Sequence, residues 1–257
     1  GSRNSQRMGE VFAWCYLAIN LGAASSTLLT PWLLVMAGPG LAFAVPGILM
    51  AVATAVFFAG RARFAHIPPG GKKFLQELVS PDTRSTIVRL IPLFLCVAMF
   101  WALFDQSGSA WVLQAERMNR HWLGIEWESS QIQAVNPLLV MVMVPLSTYV
   151  VYPLVNRLWQ FTLLRRASVG MYIAAASFCV VAWIEHMIAA GAKPSIGWQI
   201  VAYIIITAAE ILISVTCLEF AYTQAPRTMK SLIMGLYLLS VSLGNTFTAV
   251  VNKFIEM

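Results

Sequence analysis

Seven apolar runs of about 20 residues or more dominate this chain, at about 10–36, 40–60, 86–108, 130–155, 167–188, 197–222 and 230–254. Crossing the hydrocarbon core of a bilayer takes about 20 helical residues, and lipid offers no partner to an unpaired backbone amide or carbonyl. Runs of this length are therefore expected to be transmembrane α-helices. Membrane β-strands are excluded, because they alternate over about 10 residues instead of staying apolar for twenty. The charge content agrees: 11% of the 257 residues are charged and 59% hydrophobic, with a mean hydropathy of +0.72. A soluble globular chain carries roughly 25% charged residues. The reading is an all-α membrane protein.

The net charge of +6 does not indicate a nucleic-acid partner, since the basic residues fall in short clusters between apolar runs and not on one solvated face. They report topology instead. With a cytoplasmic start, thirteen of the 17 Lys and Arg fall on the inner side, and only Arg117, Arg120, Lys193 and Lys253 on the outer. The positive-inside bias thus predicts a chain that starts inside and ends outside. The connections are short except at about 61–85 and 109–129. Position 1 is not Met, no secretory signal pattern is present, and the chain stops at Met257 just past the last run. A fragment of a larger transporter-like protein is expected. Cys15, Cys96, Cys179 and Cys217 lie in apolar runs without CxxC or Cys/His spacing, which predicts buried free thiols.

Ionisable groups inside spans cost roughly 2.5–3.5 kcal/mol on insertion scales, so each is a functional candidate by default. Glu210 lies about 20 Å into its span, near the midplane, from a helical rise of about 1.5 Å per residue. In a low-dielectric cavity a carboxylate's charged form loses solvation and is restored by a nearby cation, so a cationic substrate and a proton compete for it. Asp105 lies near the outer mouth of its span and suits a gate ion pair, whereas Arg89 sits at the inner end of the same span. Glu219 reads as a snorkelling or loop-anchoring residue. Asn20, about 15 Å deep, and Asn136, about 9 Å deep, offer amides that suit either a peptide backbone or a bridge between helices. Trp101 stands one turn before Asp105 on the same face. Prolines within spans interrupt helices in the manner of transporters, whose irregular backbone lines cavities. No metal, nucleotide or nucleophile motif appears, and no cofactor is expected.

These motifs resemble the proton-coupled oligopeptide transporters of the major facilitator superfamily. Cys15-Tyr16-Leu17-Ala18-Ile19-Asn20-Leu21-Gly22 followed by Pro31 is similar to the family's helix 5 signature, and Phe100-Trp101-Ala102-Leu103-Phe104-Asp105-Gln106-Ser107-Gly108-Ser109 to its helix 7. Gln133-Ala134-Val135-Asn136 with Tyr152-Pro153 resembles helix 8. Ala209-Glu210-Ile211-Leu212 and Leu218-Glu219-Phe220-Ala221-Tyr222-Thr223-Gln224-Ala225-Pro226 resemble helix 10 and its exit, and Met229-Lys230-Ser231 opens a helix 11. The helix 7 and helix 10 stretches are most similar to the animal intestinal and renal peptide transporters.

The resemblance implies a partial major facilitator fold, about seven transmembrane helices of twelve. Residues 1–60 would be the last two helices of the N-terminal six-helix bundle, 61–85 the cytoplasmic linker and 86–257 helices 7 to 11 of the C-terminal bundle. Helices 1–4 and 12 would be partners from the same protein. It also implies proton-driven symport of di- and tripeptides across a plasma or bacterial inner membrane, with protons as the coupling ion and no enzymatic activity. By the family pattern Glu210 holds the peptide's α-amine, Asn20 and Asn136 meet its backbone, and Trp101 and Tyr16 line the cavity. Asp105 pairs with a helix 1 arginine at the outer gate. Two departures stand out. The helix 1 coupling motif and the helix 4 lysine are absent, and Pro145 is followed by Leu146-Ser147-Thr148 where animal members place an aspartate able to pair with the arginine matched by Arg89. The alternatives are a related carrier for nitrate or another small solute, and a non-transporting receptor on the same fold. A membrane-embedded hydrolase would need paired carboxylates or a nucleophile within reach, which the different depths of Glu210 and Asp105 disfavour.

Overall fold

A computed structural model of the chain describes residues 2–63, 71, 74, 76, 79–225 and 229–255, and for residues 2–16 and 254–255 the backbone alone. Most of the expected linker at 61–85 therefore lies outside the described residues. The first helical stretch runs Ser2–Gly60 and is broken at Gly38, whose φ of 78° and ψ of 175° leave the helical region. A side chain would strain that backbone, so glycine fits there, with Pro39 following. We number its parts α1 (2–37) and α2 (39–60). Among the described residues six apolar helices are long enough to span, and the first covers Leu17–Arg63, 47 residues. At about 1.5 Å per residue it is roughly 70 Å long, twice what a bilayer needs, so the break at Gly38 restores the seven passes read from the sequence.

α3 (Pro81–Phe104) starts five residues before the expected position 86, for a local reason. The Ser80 hydroxyl accepts from the Thr83 amide at 3.3 Å, Pro81 takes the first helical position and Asp82 lies in the first turn. A 3₁₀ turn, Asp105–Gly108, follows α3, and then α4 (Ala110–Glu116). The connection expected at 109–129 is thus partly helical. The reason is burial: Trp111, Gln114 and Ala115 all turn into the protein interior. A short hairpin, β1 (His121–Trp122) and β2 (Ile125–Glu126), turns at Leu123 and Gly124. The 3₁₀ turn Ser129–Ala134 then leads into α5 (Val135–Leu146), a π-helical turn Ser147–Val151 and α6 (Tyr152–Leu158). α7 (Leu163–Ala189) is continuous. α8 (Gly197–Glu210) passes through a second π-helical turn, Ile211–Val215, into α9 (Thr216–Gln224), and α10 (Lys230–Ile255) ends the described chain.

The core lies among α3, α4, α7, α8, α9 and α10, with Val97, Phe100, Trp111, Tyr203, Ile206 and Ile233 fully enclosed. Helices in lipid gain no hydrophobic drive from meeting one another, so close approach at small residues does the work. Gly244 of α10 lies directly against the Ala98 carbonyl of α3, and the Thr248 hydroxyl donates to the Ala102 carbonyl at 2.9 Å. α7 meets the second π turn in the same way, Gly170 lying against Ile213 and Leu212. α1 packs on the 129–134 turn and α5, where the Gln131 side-chain amide donates to the Leu28 carbonyl at 3.1 Å. Large apolar side chains such as Phe43, Ile48, Met99, Val142 and Phe247 face outward, as a lipid-exposed surface requires. Cys217 is buried as expected, but Cys96 and Cys179 are exposed on that apolar surface, where a thiol is as acceptable as in a core. The Cys15 side chain lies outside the described residues.

Candidate functional site

Two of the predicted residues meet directly. Asn136, the second residue of α5, and Glu210, the last of α8, are 74 positions apart, yet the Asn136 Nδ2 donates to Glu210 Oε2 at 2.8 Å. The same nitrogen donates to the Thr207 hydroxyl oxygen at 3.0 Å. Glu210 stands where the α8 ladder gives way to the π turn, and the Ser214 hydroxyl donates to its carbonyl at 2.8 Å. π turns interrupt the regular ladder and recur at functional sites. Tyr237 of α10 joins this region, its hydroxyl donating to the Ser214 carbonyl at 3.1 Å. The result is a half-buried carboxylate that accepts from the Asn136 amide and has no cation beside it, since every ion pair among the described residues lies elsewhere. Such a group can take a proton or an ammonium.

Asn20 is buried on α1, whose Leu28 carbonyl accepts from Gln131 in the turn that leads to Asn136. Trp101 belongs to an aromatic cluster, its ring 5.1 Å from Phe104 and 5.6 Å from Phe100, both edge-on at 72°. Asp105 begins the 3₁₀ turn after α3 and lies near Asn245 of α10. Arg89 is exposed and lines a shallow groove with Arg84, Ser85 and Val88, without a carboxylate in ion-pair reach among the described residues. The Tyr16 side chain lies outside the described residues. The structure thus joins Glu210 with Asn136, and it sets Asp105 just past the end of α3 and Arg89 about two turns inside its start.

Sequence reasoning missed a polar web at the other end of α8. The fully buried Gln199 side-chain amide donates to the Trp111 carbonyl at 2.8 Å and to Gln114 Oε1 at 3.2 Å. Gln114 donates in turn to the Val181 carbonyl at 3.1 Å and to Glu185 Oε2 at 3.0 Å, and Arg117 closes the chain on that same oxygen at 2.8 Å. The signal available was an amide in the first turn of one apolar run and another just past the end of an earlier one. This web ties α4, α7 and α8 together. Replacing Gln199 by Leu leaves the buried Gln114 side-chain oxygen without its donor and is expected to cost about 1–3 kcal/mol. Arg117→Ala breaks only an exposed pair and is expected to cost about 1 kcal/mol or less. Thermal unfolding in detergent orders the two variants; the reverse order would contradict the web as described.

The family pattern described as POT family matches residues 2–81 and 76–257. Solute carrier family 15 member 2 of Oryctolagus cuniculus is 31% identical, over 84% of this chain and 35% of its own. Solute carrier family 15 member 1 of Mus musculus is 34% identical, over 70% of this chain and 32% of its own. Among solved structures, an auto-inhibited POT family peptide transporter superposes with a TM-score of 0.87 at 30% identity, covering 99% of this chain and 64% of that one. The POT family transporter PepTSo gives 0.86 at 31% identity, covering all of this chain and 65% of that one. This chain therefore spans about a third of the length of the curated relatives it matches and just under two thirds of the solved ones.

Proposed function

Because this multi-pass membrane chain belongs to the POT family and has its major facilitator fold, we propose that it takes part in proton-coupled symport of di- and tripeptides by alternating access. The complete carrier is the active unit. These residues supply the last two helices of its N-terminal bundle (1–60), the linker (61–85) and helices 7 to 11 of its C-terminal bundle (86–257). Its partners are the remaining helices of the fold, the lipid of a plasma or bacterial inner membrane, and small peptides. The start of the chain faces the cytoplasm, in keeping with its basic clusters.

The observation that carries this reading is the Glu210 carboxylate held by the Asn136 amide near mid-span. A zwitterionic peptide places its ammonium on Glu210 and its backbone on Asn136 and Asn20, with Trp101 and Tyr16 beside its side chains. When protons rather than peptide satisfy Glu210, the ion pair breaks, and that local change of charge biases a two-state element. Asp105, just past the end of α3, and Arg89, about two turns inside its start, act as gating or coupling groups on the outer and inner sides. Protons serve as the coupling ion, and no other cofactor is needed.

The test is uptake of a labelled dipeptide into vesicles by the full-length protein carrying these residues, with and without an inward proton gradient. Uptake that the gradient accelerates is the expected result. Absence of uptake across a chemically varied set of peptides would turn the assignment toward a carrier for another small solute or a receptor.

A further inference from the structure

The Asn136 side chain has two amide protons, and both are already engaged. One points at Glu210 Oε2, 2.8 Å from the nitrogen, and the other at the Thr207 hydroxyl oxygen at 3.0 Å. An ionised carboxylate only accepts, so the NH₂ end of the amide must face Glu210. Thr207 lies three positions before Glu210 on α8, hence on the same face, and its side chain is fully enclosed. Two acceptors one helical turn apart therefore grip one amide. What Asn136 has left to offer a ligand is its carbonyl oxygen, and Glu210 keeps its second carboxylate oxygen. Presented together, these form an all-acceptor pair that suits a donor-only group such as an ammonium and repels a carboxylate or a nitrate.

We infer that Thr207 is a positioning residue for this site: Glu210 decides which end of the Asn136 amide faces it, and the Thr207 hydroxyl, taking the second amide proton, holds that amide in place so that the Asn136 oxygen stays fixed beside the Glu210 carboxylate for a cationic amine. The inference rests on the carrier reading above and extends it to a residue that touches no substrate. Without the hydroxyl, one amide proton is left facing a methyl group, and the amide loses the second of its two anchors. The amide then hangs on the Glu210 bond alone and can swing about it, so its oxygen no longer keeps a fixed place beside the Glu210 oxygen.

Thr207→Val, the nearest apolar replacement in shape, is compared with Thr207→Ser and native protein in full-length form, reconstituted in vesicles under an inward proton gradient. The expected result is a KM for a free-amine dipeptide raised about tenfold in Thr207→Val with the maximal rate within about twofold. Thr207→Ser should restore KM to within about twofold of native. Inhibition by an Nα-acetylated dipeptide, which lacks the ammonium, should not change between native and Thr207→Val. A KM unmoved by Thr207→Val in a native-active preparation overturns the inference alone. So does a Thr207→Ser variant as impaired as Thr207→Val, because the loss then belongs to shape and not to the hydroxyl. No dipeptide uptake by the native protein overturns the carrier reading and this inference with it.

Discussion

Glu210→Gln is expected to collapse gradient-driven dipeptide uptake, lowering the maximal rate over KM by at least about thirtyfold, as removal of one partner from a desolvated charge pair does. The substitution keeps the shape of the side chain. A Gln at 210 can still turn its carbonyl oxygen toward Asn136 Nδ2, so the bond now at 2.8 Å has a ready replacement. Packing around α8 is then little changed, and the melting temperature in detergent should stay within a few degrees of native. What disappears is the negative charge that an ammonium or a proton can satisfy. Uptake assays with and without the gradient, run beside a melting curve, separate the two effects. Undiminished uptake by the variant would remove Glu210 from the site while leaving the family membership of the chain untouched.

Gly244→Ala is expected to have the largest effect on stability. A Cβ at that position would lie on top of the Ala98 carbonyl and close to the Ala102 amide, and both are backbone atoms that cannot rotate aside. The α3 and α10 helices would have to separate, weakening the Thr248 to Ala102 hydrogen bond with them. Overpacking of this kind typically costs about 1–3 kcal/mol, and the rigid obstacle here puts the expectation at the upper end. Gly235 provides the internal control, since it lies on the same helix and a Cβ there meets nothing within 4 Å. Gly235→Ala should be neutral, or stabilising by up to about 1 kcal/mol through helix propensity. Thermal unfolding of the two variants in one detergent decides the matter. Equal melting temperatures would show that the two helices can slide apart freely at Gly244.

The spans were legible because hydropathy reports the quantity that lipid selects. α7, α8 and α10 begin or end within a few residues of the expected limits, and the break between the first two runs fell at a glycine beside a proline. Local chemistry then moved the boundaries, at the Ser80 cap of α3 and at the buried face that made α4 a helix beyond Gly108. Glu210 and Asn136 stood out as costly polar groups in apolar runs. Their direct contact did not, because two helices 74 positions apart carry no common periodicity that would reveal it. Thr207 was hidden for a simpler reason: a threonine is unremarkable in a span, and only its spacing of three from Glu210 pointed to it. The π turns were beyond reach, since one added residue per turn changes neither length nor polarity.

Those two π turns have a consequence for how the helices can be tuned. Each additional residue in a turn advances the following segment by about 100° around the axis. The segment before Glu210 and the segment after Val215 are therefore set to different phases, like two dials on one shaft. The first dial aims Thr207 and Glu210 at Asn136, and the second aims Cys217 and Ala221 into the packed interior. Losing a single residue between them would swing the whole far end by about a quarter turn and leave the carboxylate where it is. A chain built this way can change what one end of a helix touches by insertion or deletion alone, independently of the group that the other end holds in place.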